Sequence, residues 1–192
     1  MKKMIWLTTV SVLFLVFIVP GIMAFAIDII PANDQPGYDY NKRLSIYGER
    51  QITQVFISKD KNLTAIGTSI KNPNLKNKKE IFFNLYDENG SLIRQSILNG
   101  LNIEDGDFVK FVFAKINDSL NKTYTFTLSS PAAGPGEIIE VFIIKPTEDI
   151  LEYSYGEETH PGGAPIVTFH RPDSQVEIVK MVYSNWLSRL LS

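Results

Sequence analysis

Thr123-Tyr124-Thr125-Phe126-Thr127-Leu128 alternates a polar with an apolar side chain at every step. A period of two is the signature of a strand with one face on a core and one in water. Residues 80–86 repeat the pattern, with Ile81, Phe83 and Leu85 on one face and Phe82, Asn84 and Tyr86 on the other. Asp87-Glu88-Asn89-Gly90 follows, and Asn-Gly accepts the positive φ angles of a tight reversal, so residues 91–98 are read as the returning partner strand. Further strands are predicted at 51–58, 63–70, 107–114, 137–144, 151–155 and 166–169. The spacing of turn signals between them fits an all-β, antiparallel β-sandwich or jelly roll.

Outside this body the patterning changes. Lys2 and Lys3 precede an uncharged run from Met4 to Ile27, 24 residues that as a helix would span roughly 36 Å, enough for a bilayer core. Lysines before the run, with Asp28 and Asp34 after it, predict the N-terminus inside and the body outside the cell membrane. Two readings stay open: an uncleaved single-pass anchor, or a signal peptide cut after Ala26 at the small-x-small pattern Ala24-Phe25-Ala26, which would give a secreted protein.

At the other end, Ser174 with Glu177 forms a capping-box pattern. Val179, Val182, Tyr183, Trp186, Leu187, Leu190 and Leu191 then fall on one broad helical face, with Lys180, Ser184, Ser188 and Arg189 largely opposite. That amphipathic helix packs on the sandwich or a partner, or lies at the membrane interface. Trp6, Trp186, Leu187 and Leu190 are its candidate membrane contacts together with the first helix. The expected organisation is a transmembrane anchor or signal peptide at 1–30, a Pro-, Asp-, Gly- and Tyr-rich linker at 31–44, a sandwich at 45–172 and the amphipathic helix at 173–192.

Composition narrows function. The chain has 192 residues, 44% hydrophobic and 21% charged, enough for one sizeable core. A net charge of −2 supplies no basic field for nucleic acid. The absence of cysteine removes disulfides, thiolate catalysis and cysteine-bound zinc.

Several stretches resemble a jelly-roll module of bacterial membrane proteins, often multi-pass glycosyltransferase-like ones. The resemblance lies in Gln54-Val55-Phe56-Ile57-Ser58, Asn62-Leu63-Thr64-Ala65-Ile66, Phe83-Asn84-Leu85-Tyr86-Asp87-Glu88-Asn89-Gly90 and residues 122–130. It implies an outward-facing sandwich led in by a transmembrane helix and similar in architecture to galactose-binding-like carbohydrate modules. It covers roughly residues 45–169 and carries over no binding residue. The later membrane spans and the transferase domain of the larger members have no counterpart here.

Candidate chemistry is sparse. His160 in Glu157-Glu158-Thr159-His160-Pro161-Gly162-Gly163 offers metal-binding side chains, but Pro and paired Gly make this a loop without fixed ligand geometry. His170 reads as a surface residue closing a strand. Asp105-Gly106-Asp107 is half a calcium loop at most, and a turn explains it. Lys71, Lys76, Lys78 and Lys79, interleaved with asparagines, read as a solvated loop. No cofactor, metal or catalytic residue is assigned. Tyr47, Asn84, Tyr86, Tyr153 and Tyr155 are the candidate ligand residues, because glycan recognition needs aromatic planes beside amides. The leading reading is a membrane-tethered, extracytoplasmic binding module of the cell envelope, carbohydrate being the favoured ligand. Its rival is a structural subunit docking on an integral membrane protein, and an enzyme is the least supported.

Overall fold

The computed structural model describes residues 2–32, 34–104 and 107–191; the side chains of 2, 107, 185 and 189–191 are not among the described ones. The chain divides into two compact units, Pro31–His170 on the one hand and Met1–Ile30 with Arg171–Ser192 on the other.

The larger unit is an antiparallel β-sandwich. Numbered along the chain, its strands are β1 (Ile30–Pro31), β2 (Arg43–Ile46), β3 (Ile52–Ile57), β4 (Leu63–Lys71), β5 (Glu80–Tyr86), β6 (Leu92–Asn99), β7 (Asp107–Ile116), β8 (Thr123–Ser129), β9 (Ile139–Phe142), β10 (Ile150–Tyr155), β11 (Glu158–Pro161) and β12 (Ile166–His170). The first sheet runs β1–β12–β4–β9–β2, with β7 also paired to β4; the second runs β11–β10–β3–β8–β5–β6. The alternation read in β5 is met directly, and that in β8 is met except at Thr127, which is buried. Ile81, Phe83, Leu85, Tyr124, Phe126 and Leu128 are buried, while Phe82, Asn84, Tyr86, Thr123 and Thr125 are half-exposed.

Aromatic rings hold the two sheets together. Phe83 of the second sheet stacks on Phe111 of the first at 4.8 Å and on its neighbour Phe126 at 5.1 Å. Such offset stacks add about 0.5–1.5 kcal/mol each to the burial of the rings.

Three strands fall where none was expected: the two-residue β1, β2 and β11. β2 begins inside the stretch read as a linker, and β11 occupies the stretch read as a loop around His160. Glu158–Pro161 shows no apolar alternation because β11 pairs only with β10 and ends its sheet, where Pro is tolerated. The turn after β5 also differs in detail. Gly90 has φ +76°, but Asn89 does not share the left-handed region, and Asp87 holds the loop by accepting the Asn89 and Ser91 N–H groups. It is thus a longer loop than a two-residue Asn-Gly hairpin, with a register shift where β5 meets β6.

The Lys-rich connection from β4 to β5 exposes Asn74, Leu75 and its lysines 76, 78 and 79. Its Asn72 and Asn77 are buried. The Asn72 amide donates to the carbonyls of Asn77 and Gly100, and that of Asn77 to the Glu137 carbonyl.

In the smaller unit, α1 (Lys2–Leu13), a π-helical turn (Phe14–Ile18) and α2 (Val19–Phe25) make one continuous rod. Lys3–Phe25, with mean hydropathy 2.3, is long and apolar enough to cross a membrane. Pro20 lacks the N–H that would continue the helical ladder, which accounts for the π-turn just before it. α3 (Gln175–Leu191) starts as the capping pattern requires, Ser174 Oγ accepting from the Glu177 N–H; the Glu177 carboxylate reaches back to the N–H of Asp173 rather than Ser174.

The seam of α3 is displaced from the expected stripe. Ile178, absent from that stripe, is buried; it packs with Ala24 and Ile30, flanked by Ile27, Val179, Met181 and Val182. The Tyr183 hydroxyl donates to the carbonyl of Phe17, in the π-turn. α3 therefore packs on α2, while Leu187 stays exposed and Trp186 half-exposed.

Candidate functional site

The side chains on the outer side of the second sheet form a polar row, in which Thr127 is buried and the others are partly or fully exposed. Strand register fixes it. Asn84 pairs with Gln95 on β6 and Thr127 on β8, Thr127 with Thr53 on β3, Thr53 with Ser154 on β10, and Ser154 with Thr159 on β11. Gln95, Asn84, Thr127, Thr53, Ser154 and Thr159 thus form one row across all six strands. At ~4.8 Å per strand spacing, the row is roughly 24 Å long.

Its members orient one another. The Gln95 amide donates to Asn84 Oδ1 at 2.8 Å, the Asn84 amide contacts Thr127 Oγ1 at 3.4 Å, and the Ser154 and Thr159 hydroxyls share a 2.9 Å hydrogen bond. Flanking rows carry the rings. Phe82, two residues before Asn84, lies between Ile97 and Ser129; Tyr86, two residues after it, lies between Leu92 and Thr125. The two rings are about 13 Å apart along the strand. The Tyr86 row continues through Val55 to Glu152. The face thus carries an amide-and-hydroxyl track between two aromatic planes, with a carboxylate beside it. Such groups can hydrogen-bond and stack on a polyhydroxylated ligand.

Only two of the five candidate ligand residues lie on this face, Asn84 and Tyr86. Tyr153 and Tyr155 point to the opposite side of β10. Tyr153 packs against the core and against His160, ring centroids 5.3 Å apart, and burial raises its phenol pKa. The Tyr155 hydroxyl is spent on the Ser45 carbonyl at 2.7 Å. Tyr47 sits in the turn after β2 with the Arg50 guanidinium over its ring at 5.1 Å. Gln95, Thr127, Thr53, Ser154, Thr159 and Phe82 join the face unannounced. Their types are ordinary strand residues, and only the order of strands in the sheet aligns them.

Of the candidate membrane contacts, Trp6 is exposed on α1, while the Leu190 side chain is outside the described residues. Asp105, Gly106 and the Asp107 side chain are likewise outside them. His160 Nε2 lies 3.3 Å from Glu158, and His170, half-buried rather than at the surface, lies 3.6 Å from Asp60. Among the described residues no group of three or more His, Cys, Asp or Glu could hold a metal ion.

No family model matches this sequence. No curated protein matches it either. Among solved structures, a Paenibacillus sp. cycloisomaltooligosaccharide glucanotransferase complexed with cycloisomaltoheptaose aligns with a TM-score of 0.36 and 12% identity, over 59% of this chain and 15% of its own. A family two carbohydrate esterase from Clostridium thermocellum in complex with cellohexaose aligns with a TM-score of 0.31 and 13% identity, over 71% and 33%. This chain spans at most a third of either protein's length. Likenesses this distant carry no argument about function. The resemblance to outward-facing jelly-roll modules is met at the level of the β-sandwich.

Proposed function

We propose that the chain is a membrane-tethered, non-catalytic binding module of the cell envelope that presents the outer face of its second sheet to a glycan. The observation that carries this reading is the row from Gln95 to Thr159, continuous over six strands and pre-oriented at Asn84 by hydrogen bonds on both sides. Polar groups already held in place lose little freedom on binding, so shallow contacts retain more of their interaction energy. Phe82 and Tyr86 offer stacking planes on either side of the row.

The tether is the apolar Lys3–Phe25 segment, read as an uncleaved span with its N-terminus inside and the sandwich outside. The rival reading, a subunit docking on an integral membrane protein, would be favoured by a contiguous apolar face. On this face Phe82 and Tyr86 are instead separated by the polar row.

The full chain in lipid nanodiscs, applied to a glycan array, tests the reading. Retention of one or more neutral glycans, lost on Asn84→Ala and weakened on Tyr86→Ala, is the expected result. Retention of none, or binding indifferent to both substitutions, overturns it.

A further inference from the structure

A second site lies on the sandwich, away from that face. A groove of about 640 Å³, within the roughly 300–1,000 Å³ range of small-molecule sites, runs between residues 36–42 and residues 143–147. Tyr38 forms one wall. Its ring is backed by the buried Phe142, stacked at 4.4 Å, and edged by Tyr40 at 5.3 Å. Ile143, Ile144 and Pro146 give the groove an apolar lining, and Lys42, Lys145 and Asp39 give it charge.

The two lysines are set apart from the other charges of this region. The neighbouring carboxylates are engaged elsewhere: Glu140 pairs with Arg43 at 3.2 Å, and Lys59 lies between Glu148 at 3.7 Å and Asp149 at 3.6 Å. Among the described residues Lys42 and Lys145 have no ion-pair partner. Among the described residues Asp39 is the one carboxylate lining the groove, and its Oδ1 accepts the Asn41 N–H at 2.9 Å. Its other oxygen is the natural acceptor for a ligand hydroxyl. The Tyr40 phenol beside Tyr38 is held above its ordinary pKa, first by hydrogen bonding with Tyr38.

We propose that this groove binds an anionic sugar unit, its ring lying on Tyr38 and its carboxylate or phosphate between Lys42 and Lys145. The combination of groups selects this class. Two unpaired ammonium groups favour an anion, an aromatic wall favours a flat C–H face, and Asp39 favours a ligand that also carries hydroxyls. A bare inorganic anion would use the lysines but be repelled by Asp39. An uncharged sugar would leave both lysines without a partner.

The inference is independent of the glycan reading of the outer sheet face. The full chain in nanodiscs is titrated calorimetrically with trigalacturonate, its neutral methyl ester, glucose 6-phosphate and glucose. Binding of trigalacturonate or glucose 6-phosphate without its neutral counterpart supports the site, and which of the two binds separates a carboxylate from a phosphate source. The double variant Lys42→Gln/Lys145→Gln should weaken that binding about tenfold or more, and raised salt should weaken it in the unsubstituted chain. Both lysines are exposed, so the fold tolerates the change. Asn84→Ala should leave it unaltered. Binding of neither anionic probe, equal binding of the neutral ones, or binding lost in Asn84→Ala but kept in the lysine variant overturns the proposal.

Discussion

The Gln54 side chain grips the backbone of Ala164 with both ends of its amide: Nε2 donates to the carbonyl at 3.2 Å, and Oε1 accepts from the N–H at 2.6 Å. Both residues are fully buried. Gln54 sits between Ile52 and Phe56 on the core face of β3, so a polar side chain occupies a position the strand period assigns to an apolar one. It ties β3 to the segment that leads into β12 of the other sheet. The space is also tight, because a Cβ on Gly163 would stand 2.5 Å from the Gln54 amide.

Gln54→Leu keeps the volume and removes the amide. It strands a buried N–H and a buried carbonyl, each worth about 1–3 kcal/mol, so a loss of about 3 kcal/mol is expected in urea unfolding. Gly163→Ala should destabilise through the same contact. A midpoint unchanged by Gln54→Leu would mean that the Ala164 backbone finds other partners.

Gly90, at φ +76° in the loop between β5 and β6, has nothing within 4 Å of where a Cβ would lie. Substitution there meets backbone strain and no steric clash. Gly90→Val should therefore cost about 1–2 kcal/mol, and Gly90→Asn markedly less, because Asn tolerates the left-handed region. Equal losses for the two, by thermal unfolding, would place the cause elsewhere.

Much of this architecture is legible in the sequence, for a physical reason. A strand with one wet face must alternate, so β5 and β8 announce themselves. β4 gives a weaker signal, since Leu63 to Ile70 is buried on both faces through small Thr, Ala, Gly and Ser side chains rather than a hydrophobic run. Edge strands bury little, so β11 looks like a loop. The candidate sites are less legible still. The row on the outer face exists only after six strands are placed in order, and residues 38 and 42 of the groove lie in a stretch whose composition suggests a linker. Tyrosine identity alone does not distinguish Tyr86 on the outer face from Tyr155, whose hydroxyl bonds the Ser45 carbonyl.

Two tyrosines couple stability to alkaline pH. Burial is the leading cause that raises the phenol pKa of Tyr124 and of Tyr153 above 10.0. A phenol whose folded pKa exceeds its unfolded value binds its proton more tightly in the folded state. Its contribution is complete below the unfolded pKa and is lost as pH rises through the folded one. The melting temperature of the full chain should accordingly fall above about pH 10. The double variant Tyr124→Phe/Tyr153→Phe should flatten that fall, and an identical pH profile in the variant would assign it to other groups.

The final prediction concerns the N-terminal segment, where Ala24-Phe25-Ala26 matches a signal-peptidase pattern. Processing at such a pattern requires the chain before the cut to lie open and extended in the protease. Here Ala24 and Phe25 belong to α2, and Ala24 is fully buried among Ile30 and the Ile178 face of α3. The Tyr183 hydroxyl holds the Phe17 carbonyl on the same rod, and Arg171 lies 3.5 Å from Asp28, two residues past the cut. The N-terminus should remain on the mature protein, as intact-mass spectrometry of membrane-extracted chain would record. Ile178→Asp places a charge in this small apolar cluster and should release α3 from α2. A fraction of the variant should then begin at Ile27 in cells that contain signal peptidase. Ile178→Val, which keeps the cluster apolar, should stay uncut. Native chain found to begin at Ile27 would mean that the packing of α3 on α2 does not protect the site in the membrane.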